Sequence, residues 1–192
     1  MRYGFRAITM DEIAGNLGIS KKTIYHYFTD KKDLVGIIVN KDLKLLKEDC
    51  RFQREQAIDA VDEVIRNLES VEGLLIAMNP QFLFELERGY PDAYSAFLEY
   101  KNVFLLKAIQ DNLVWGIETE LYRKDISIDV MSHFRLESIF MAFDQNIFPA
   151  SKFHLYKVIR ETAFNFLYGI VTIKGKKLIE HHLSKHEKHH LV

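Results

Sequence analysis

A single cysteine, Cys50, excludes an internal disulfide and any zinc site built on paired cysteines, and it suits a reducing compartment. No apolar run reaches the roughly 20 residues of a membrane-spanning helix, and the N-terminus lacks the apolar core of a secretory signal. These absences lead to the expectation of a soluble, cytoplasmic protein with no membrane partner. Enzyme signatures are missing as well: there is no G-x-S-x-G elbow, no G-x-G-x-x-G turn, no Walker loop and no H-E-x-x-H pair. No catalytic residue, cofactor or metal is therefore expected. Prolines number only three, and no segment alternates apolar and polar residues as a strand does, which leaves helices as the building element.

What is present is unevenly placed. The formal charge of the whole chain is −1, yet residues 1–47 carry nine lysines and arginines against five acids. A basic head on a compensating body points to a polyanionic partner for the head. The length of 192 residues suffices for a small head and one larger helical domain with its own core.

The head is organised by the stretch from Thr9 to Leu34. Thr9 and Glu12 form a T-x-x-E capping box, with Ile8 and Ile13 at the positions of a hydrophobic staple, so a helix starts at Met10. Ile13, Ala14 and Leu17 share one face, and Gly18 stands where a left-handed residue ends the helix. After a tight turn Ser20 caps a second helix from Lys21, on which Ile24 and Phe28 face inward four residues apart. Asp30, with Asp33 as its box partner, starts a third helix and places Lys31 in its first turn, where it would favour a bound phosphate. This is a helix-turn-helix. Lys21, Lys22, Thr23, His26 and Tyr27 are left for solvent or a partner, with Tyr25 partly buried. Such ammonium, hydroxyl, imidazole and phenol groups suit phosphate oxygens and base edges in a major groove. Short helices with exposed lysines are also ordinary solvated surface, and only the conjunction of these features distinguishes the stretch.

The pattern T-x3-I-A-x3-G-I-S-x2-T-I-Y-x-Y-F-x2-K-x2-L resembles the TetR (tetracycline-repressor) family of bacterial transcriptional regulators over residues 4–47. Tyr25 and Phe28 match the family's Y-x-Y-F segment, whose first tyrosine is part core and part phosphate contact. The expected DNA contacts are thus Lys21, Lys22, Thr23, Tyr25, His26, Tyr27 and Lys31. The resemblance implies a homodimer on a palindromic double-stranded operator, and an all-helical C-terminal domain that binds a small apolar or amphiphilic effector. A repressor released by that effector is the implied function. In the family a further helix precedes the segment resembling YGFRAIT, and MRYGFRAIT leaves no room for it. The head is therefore expected to be incomplete, its first helix missing, and the natural chain to begin upstream of Met1. Ile13, Leu17, Ile24 and Phe28 would then be short of cover, at roughly 1.5–3 kcal/mol for each large side chain left exposed. The rival reading is a helical ligand-binding or scaffold protein without operator binding.

Beyond the head, Leu34, Ile37, Ile38, Leu45 and Leu46 predict one helix to about Cys50. It links a helix-turn-helix domain of residues 1–47 to a helical effector-binding and dimerisation domain of residues 48–192. Amphipathic spacing and the breaks at Pro80, Pro91 and Pro149 predict helices over residues 58–75, 80–88, 92–122, 128–146 and 151–183. Phe82, Phe84, Tyr94, Phe97, Tyr100, Phe104, Trp115, Phe140 and Phe143 crowd this body. They are either ordinary core or, as family position suggests, include the lining of an effector cavity, for which Phe104, Trp115 and Phe140 are the candidates. In the last predicted helix Gly169 interrupts a wide apolar face, where glycine costs about 1 kcal/mol relative to alanine. A close helix crossing explains that choice, within one subunit or between two, which makes Phe166, Gly169 and Ile170 the candidate dimer contacts. The segment FLYGIVTIKGKKLI resembles the family's final helix, where the last two helices of each subunit form a four-helix interface.

His182, His186 and His190 recur at four-residue spacing, but the tail offers no further ligand and is expected to fray rather than hold a metal. Glu137, beside Ile139 and Phe140, is the one carboxylate to check for burial. A buried acid and histidine pair inside a cleft would signal a hydrolase instead.

Overall fold

The structure is a computed structural model that describes residues 8–189, with side-chain surroundings to residue 184. The expected truncation of the first helix concerns residues 1–7, outside the described residues. The capping box is formed as the sequence requires: Glu12 N donates to Thr9 Oγ1 (3.2 Å) and Thr9 N to Glu12 Oε2 (2.7 Å), starting α1 (Met10–Leu17). Gly18 closes it at φ 65°, a conformation only glycine adopts without strain, and its N–H and that of Ile19 donate back to Gly15 and Ala14. Ser20 Oγ accepts from Thr23 N to begin α2 (Lys21–Tyr27), and Asp30 Oδ1 accepts from Asp33 N to begin α3. Met10, Ala14 and Ile24 form the head's small core, with Ile13, Phe28 and Leu34 half-buried against it, while Leu17 is 64% exposed.

The linking helix α3 (Lys31–Gln56) is longer than its apolar pattern predicts. The polar stretch from Arg51 to Gln56 stays helical because Arg54 is held by the body: its guanidinium pairs with Glu63 and lies 3.8 Å from the centre of the Trp115 ring. Twenty-six residues make a rod of about 39 Å, and the expected domain boundary at 47/48 falls inside it. Asp59, accepting from Val61 N and Asp62 N, then starts α4 (Ala60–Ser70), followed by α5 (Glu72–Ala77) and α6 (Phe82–Gly89). Pro91 opens α7 (Pro91–Glu99), which passes through a π-helical turn at Tyr100–Leu105 into α8 (Leu106–Glu118). The last three helices are α9 (Ile128–Met141), α10 (Leu155–Ile170) and α11 (Ile173–His189).

Two predicted helices are each in fact two. The expected 58–75 segment divides at Val71 into α4 and α5, and the expected 151–183 segment breaks at Val171, because the loop after α8 pairs with it. Tyr122 and Val171 form an antiparallel bridge, Thr172 N donates to Leu121 O, and Arg123 N donates to Ile170 O. The two glycines that permit this approach are Gly116 and Gly175: a Cβ on Gly116 would lie 2.0 Å from the Tyr122 ring, and one on Gly175 2.3 Å from Leu121 O. Around Tyr122, which is fully buried, the central core gathers Val61, Ile65, Leu113, Leu167, Ile170 and Ile179. A second cluster joins α3 to α6 and α7 through Val35, Val39, Leu43, Leu86 and Phe97.

Candidate nucleic-acid interface and ligand cavity

The head displays most of its predicted contact residues. Lys21, Lys22, Thr23, Tyr25, His26 and Tyr27 are exposed, Tyr27 at 72% and Tyr25 at 45%, so Tyr25 is more open than expected. Lys31 is half-buried at the start of α3. Two of these groups are already engaged. Lys21 Nζ bonds Asp11 Oδ2 at 2.8 Å, which ties α2 to α1 and raises the lysine's pKa, and the Thr23 hydroxyl shares a 2.8 Å hydrogen bond with the capping Ser20. Lys22, His26 and Tyr27 project from a seven-residue helix fixed at its start by that cap, the geometry a groove-reading helix needs.

In the body a cavity of about 250 Å³ lies between α3, α4, α5 and the aromatic segments of α7 to α9. Its wall is mainly aliphatic and aromatic. Phe140 lines it, edge-on to Phe97 (5.4 Å) and stacked with Phe143 (6.2 Å). Phe104 and Trp115 do not. They border a separate open cleft on the outer surface, where cations cover them: Arg51 and Lys47 over Phe104, and Arg54 over Trp115. Helical phase explains the division, since the outer faces of the π-turn and α8 carry these two rings. Cys50 borders both spaces, and burial pushes its thiol up to about 11, so it is protonated at neutral pH.

The candidate dimer residues also divide. Phe166 (4% exposed) and Ile170 (0%) are part of the chain's own core, and of the three only Gly169 faces outward: among the described residues, nothing beyond its own helical turn lies within 4 Å of a Cβ built on it. The outward apolar residues on α9 and α10 are Val130, Phe134, Met141 and Tyr168. Glu137 is a surface acid, 64% exposed, paired with Lys101 at 2.8 Å. The C-terminal histidines bring a correction: His182 does not fray but is 2% exposed, its Nε2 3.0 Å from Asp59 Oδ2 and its Nδ1 3.7 Å from Asp62 Oδ1, which docks α11 onto the N-terminus of α4. His186 and His190 lie where side chains are not described. Among the described residues, no three acid, histidine or cysteine side chains gather as a metal site.

Of the three aromatic candidates Phe140 alone lines the cavity, and sequence reasoning missed the one cation among the described residues of its wall. Arg135 on α9 is 7% exposed and lines the space. The signal was there: Ile128, Met131, Arg135, Ile139 and Ala142 follow one another at intervals of three and four, which puts the arginine in the middle of an apolar stripe. The outward Val130 and Phe134 made α9 look apolar all round and hid it.

Comparison with known proteins places this geometry. The family model described as bacterial regulatory proteins, tetR family, matches residues 1–36. The HTH-type transcriptional repressor KstR2 of Mycobacterium tuberculosis is 28% identical over 141 residues, covering 68% of this chain and 67% of that protein. A putative transcriptional regulator from Saccharomonospora viridis, solved in complex with choline, superposes with a TM-score of 0.72 at 18% identity, covering 89% of this chain and 91% of that one. The regulator FadR of Bacillus subtilis, solved in complex with stearoyl-CoA, gives a TM-score of 0.63 at 16% identity, over 86% and 90%.

Proposed function

We propose, for a chain that belongs to the TetR family of bacterial transcriptional regulators, that it is a repressor released from a palindromic operator by a small amphiphilic effector. The observation that carries this reading is one helix with two duties. α3 lends Leu34 to the core beneath the DNA-reading helix, and Val39, Leu43 and Leu46 to the wall of the cavity. A ligand that favours one position of α3 must therefore alter how the head is presented. Regulators of the same fold have been solved with choline and with stearoyl-CoA. A cation and an acyl chain have little in common, so the fold leaves the effector open and this chain's own lining decides it.

Homodimerisation fits Val130, Phe134 and Met141, which share one face of α9, and Tyr168 on α10, exposed apolar side chains that a lone subunit leaves in water. The two α2 helices of the dimer would stand about 34–36 Å apart, one turn of DNA. Mobility shift of the intact protein on the DNA upstream of its own gene, with sedimentation to fix the stoichiometry, tests both points. A retarded complex of two chains per site, persisting against excess unrelated DNA, is expected. Failure to retard that DNA, together with binding of small molecules, would favour the rival reading of a ligand-binding protein without an operator.

A further inference from the structure

We propose that the cavity is a carboxylate site, in which an amphiphilic carboxylate of roughly ten non-hydrogen atoms seats its head on the guanidinium of Arg135 and its tail among the apolar residues of α4 to α6. The inference rests on the effector reading above and names the ligand class. Its warrant is the state of Arg135. A guanidinium has five N–H donors, and among the described residues the hydrogen bond recorded for this one is Nη1 to Ser138 Oγ, at a long 3.3 Å. The ring of Phe166 lies 5.8 Å away. Among the described residues no carboxylate lies within ion-pair distance of it, and burial pulls its pKa down to about 10. Every sealed side-chain nitrogen and oxygen among the described residues has a hydrogen-bond partner. The remaining guanidinium nitrogens therefore retain accessible surface, and the space they border is the cavity.

An ionised fork left without an acid, at the wall of an apolar chamber, matches a planar carboxylate that accepts two parallel N–H bonds. Charge on the opposite wall fixes the direction. Asp42 and Asp49 on α3 and Glu63 on α4 also border the cavity. Glu63 is already held by Arg54 and by Asn112 Nδ2 (2.7 Å), and burial raises the pKa of Asp42. With Glu63 paired, Asp42 and Asp49 still border the cavity from α3, so an anionic head is disfavoured at that wall and drawn to α9. A single positive charge suits a monoanion better than a phosphate dianion, which would find no second cation there. The tail then meets Leu68, Leu74, Leu75, Met78 and Leu83. The size follows from the volume: at about 30 Å³ for each water-sized group, 250 Å³ admits about eight heavy atoms, the carbon chain of octanoate or phenylacetate with the carboxylate oxygens set against Arg135 at the wall.

The test is calorimetric titration of the intact protein with octanoate, octanol and octylammonium, repeated with Arg135→Met and Arg135→Lys. Octanoate should bind at least tenfold more tightly than octanol and octylammonium most weakly. Arg135→Met should abolish the preference for octanoate while leaving octanol binding within about twofold, and Arg135→Lys should keep part of the preference. Octanol binding as well as octanoate, a preference that survives Arg135→Met, or no binding of octanoate at millimolar concentration would each overturn the proposal. Operator mobility shift at saturating octanoate separates the two readings. Octanoate that binds through Arg135 without moving operator affinity leaves the carboxylate site standing and removes the effector role.

Discussion

Replacing Arg135 by methionine should make the ligand-free protein more stable. Burial lowers the pKa of this guanidinium by more than two pH units, to about 10, so the unfolded chain holds the proton more tightly than the folded one. At neutral pH the group is charged in both states, and the folded state bears the full penalty, which diminishes only as pH rises through about 10 towards the ordinary guanidinium value. At 1.36 kcal/mol per pH unit, the penalty is about 3 kcal/mol. Methionine keeps most of the volume and removes the charge. Against this stands the hydrogen bond to Ser138, worth about 1 kcal/mol net, and Ser138 Oγ keeps its own 2.7 Å bond to Arg135 O. A gain of about 2 kcal/mol remains, which for a chain of this size raises Tm by roughly 4–8 °C. The assay is urea and thermal unfolding without ligand at pH 7 and fixed protein concentration, with Arg135→Lys as the control that retains the charge and should show no such gain. An Arg135→Met variant less stable than the parent, with unchanged dependence on urea, would refute the claim that this charge lacks a partner in the free protein.

Lys31→Ala should weaken operator and non-operator DNA alike and reduce the slope of log affinity against log salt by about one; a changed base preference would contradict a phosphate role. Gly116→Ala drives a methyl to within 2.0 Å of the Tyr122 ring and should cost at least the roughly 1–3 kcal/mol of an overpacked core, measured by urea unfolding; full stability would mean that Tyr122 can move aside. His182→Ala removes a buried partner of Asp59 and Asp62 and should cost about 1.5–3 kcal/mol, with faster amide exchange along α11 and none in α1 and α2; uniform exchange changes would count against local docking.

The head was legible because its signals are local. Thr9, Gly18, Ser20 and Asp30 each satisfy or release backbone groups within four residues, so the sequence alone fixes where α1, α2 and α3 begin. The body was legible only as a set of helices. Val171 looked like helix interior because its partner is Tyr122, which lies 49 positions earlier and bridges to it only after folding. His182 looked like a frayed tail for the same reason, since its acids lie on α4. Gly169 drew attention where Gly116 and Gly175 carry the close approaches, because spacing does not tell which glycine meets a neighbour. Arg135 sat in plain helical phase, but no local rule says that an arginine in an apolar stripe will find no acid across the core.

Trp115, expected in the effector cavity, lies outside it, beneath Arg54. On the proposed mechanism, α3 is clamped at its C-terminal end, where the Arg54 guanidinium rests 3.8 Å over Trp115 and pairs with the buried Glu63. The cavity borders α3 from Val39 to Cys50, four to fifteen residues or about 6–23 Å from that clamp, whereas Lys31 lies 23 residues or about 35 Å from it. A tilt pivoting at Arg54 therefore moves the start of α3, and the reading helix beside it, farther than it moves any part of the cavity wall. Trp115→Leu removes the seat under Arg54 without touching the cavity lining. Cavity-ligand affinity should stay within about twofold, while the loss of operator affinity on ligand binding should shrink, because a loosened pivot dissipates the displacement before it reaches the head. Calorimetry of the ligand and mobility shift with and without it, both well below the variant's Tm, read the two quantities separately. If the ligand still moves operator affinity by the parent's factor, α3 does not pivot at Arg54 and the coupling runs by another route.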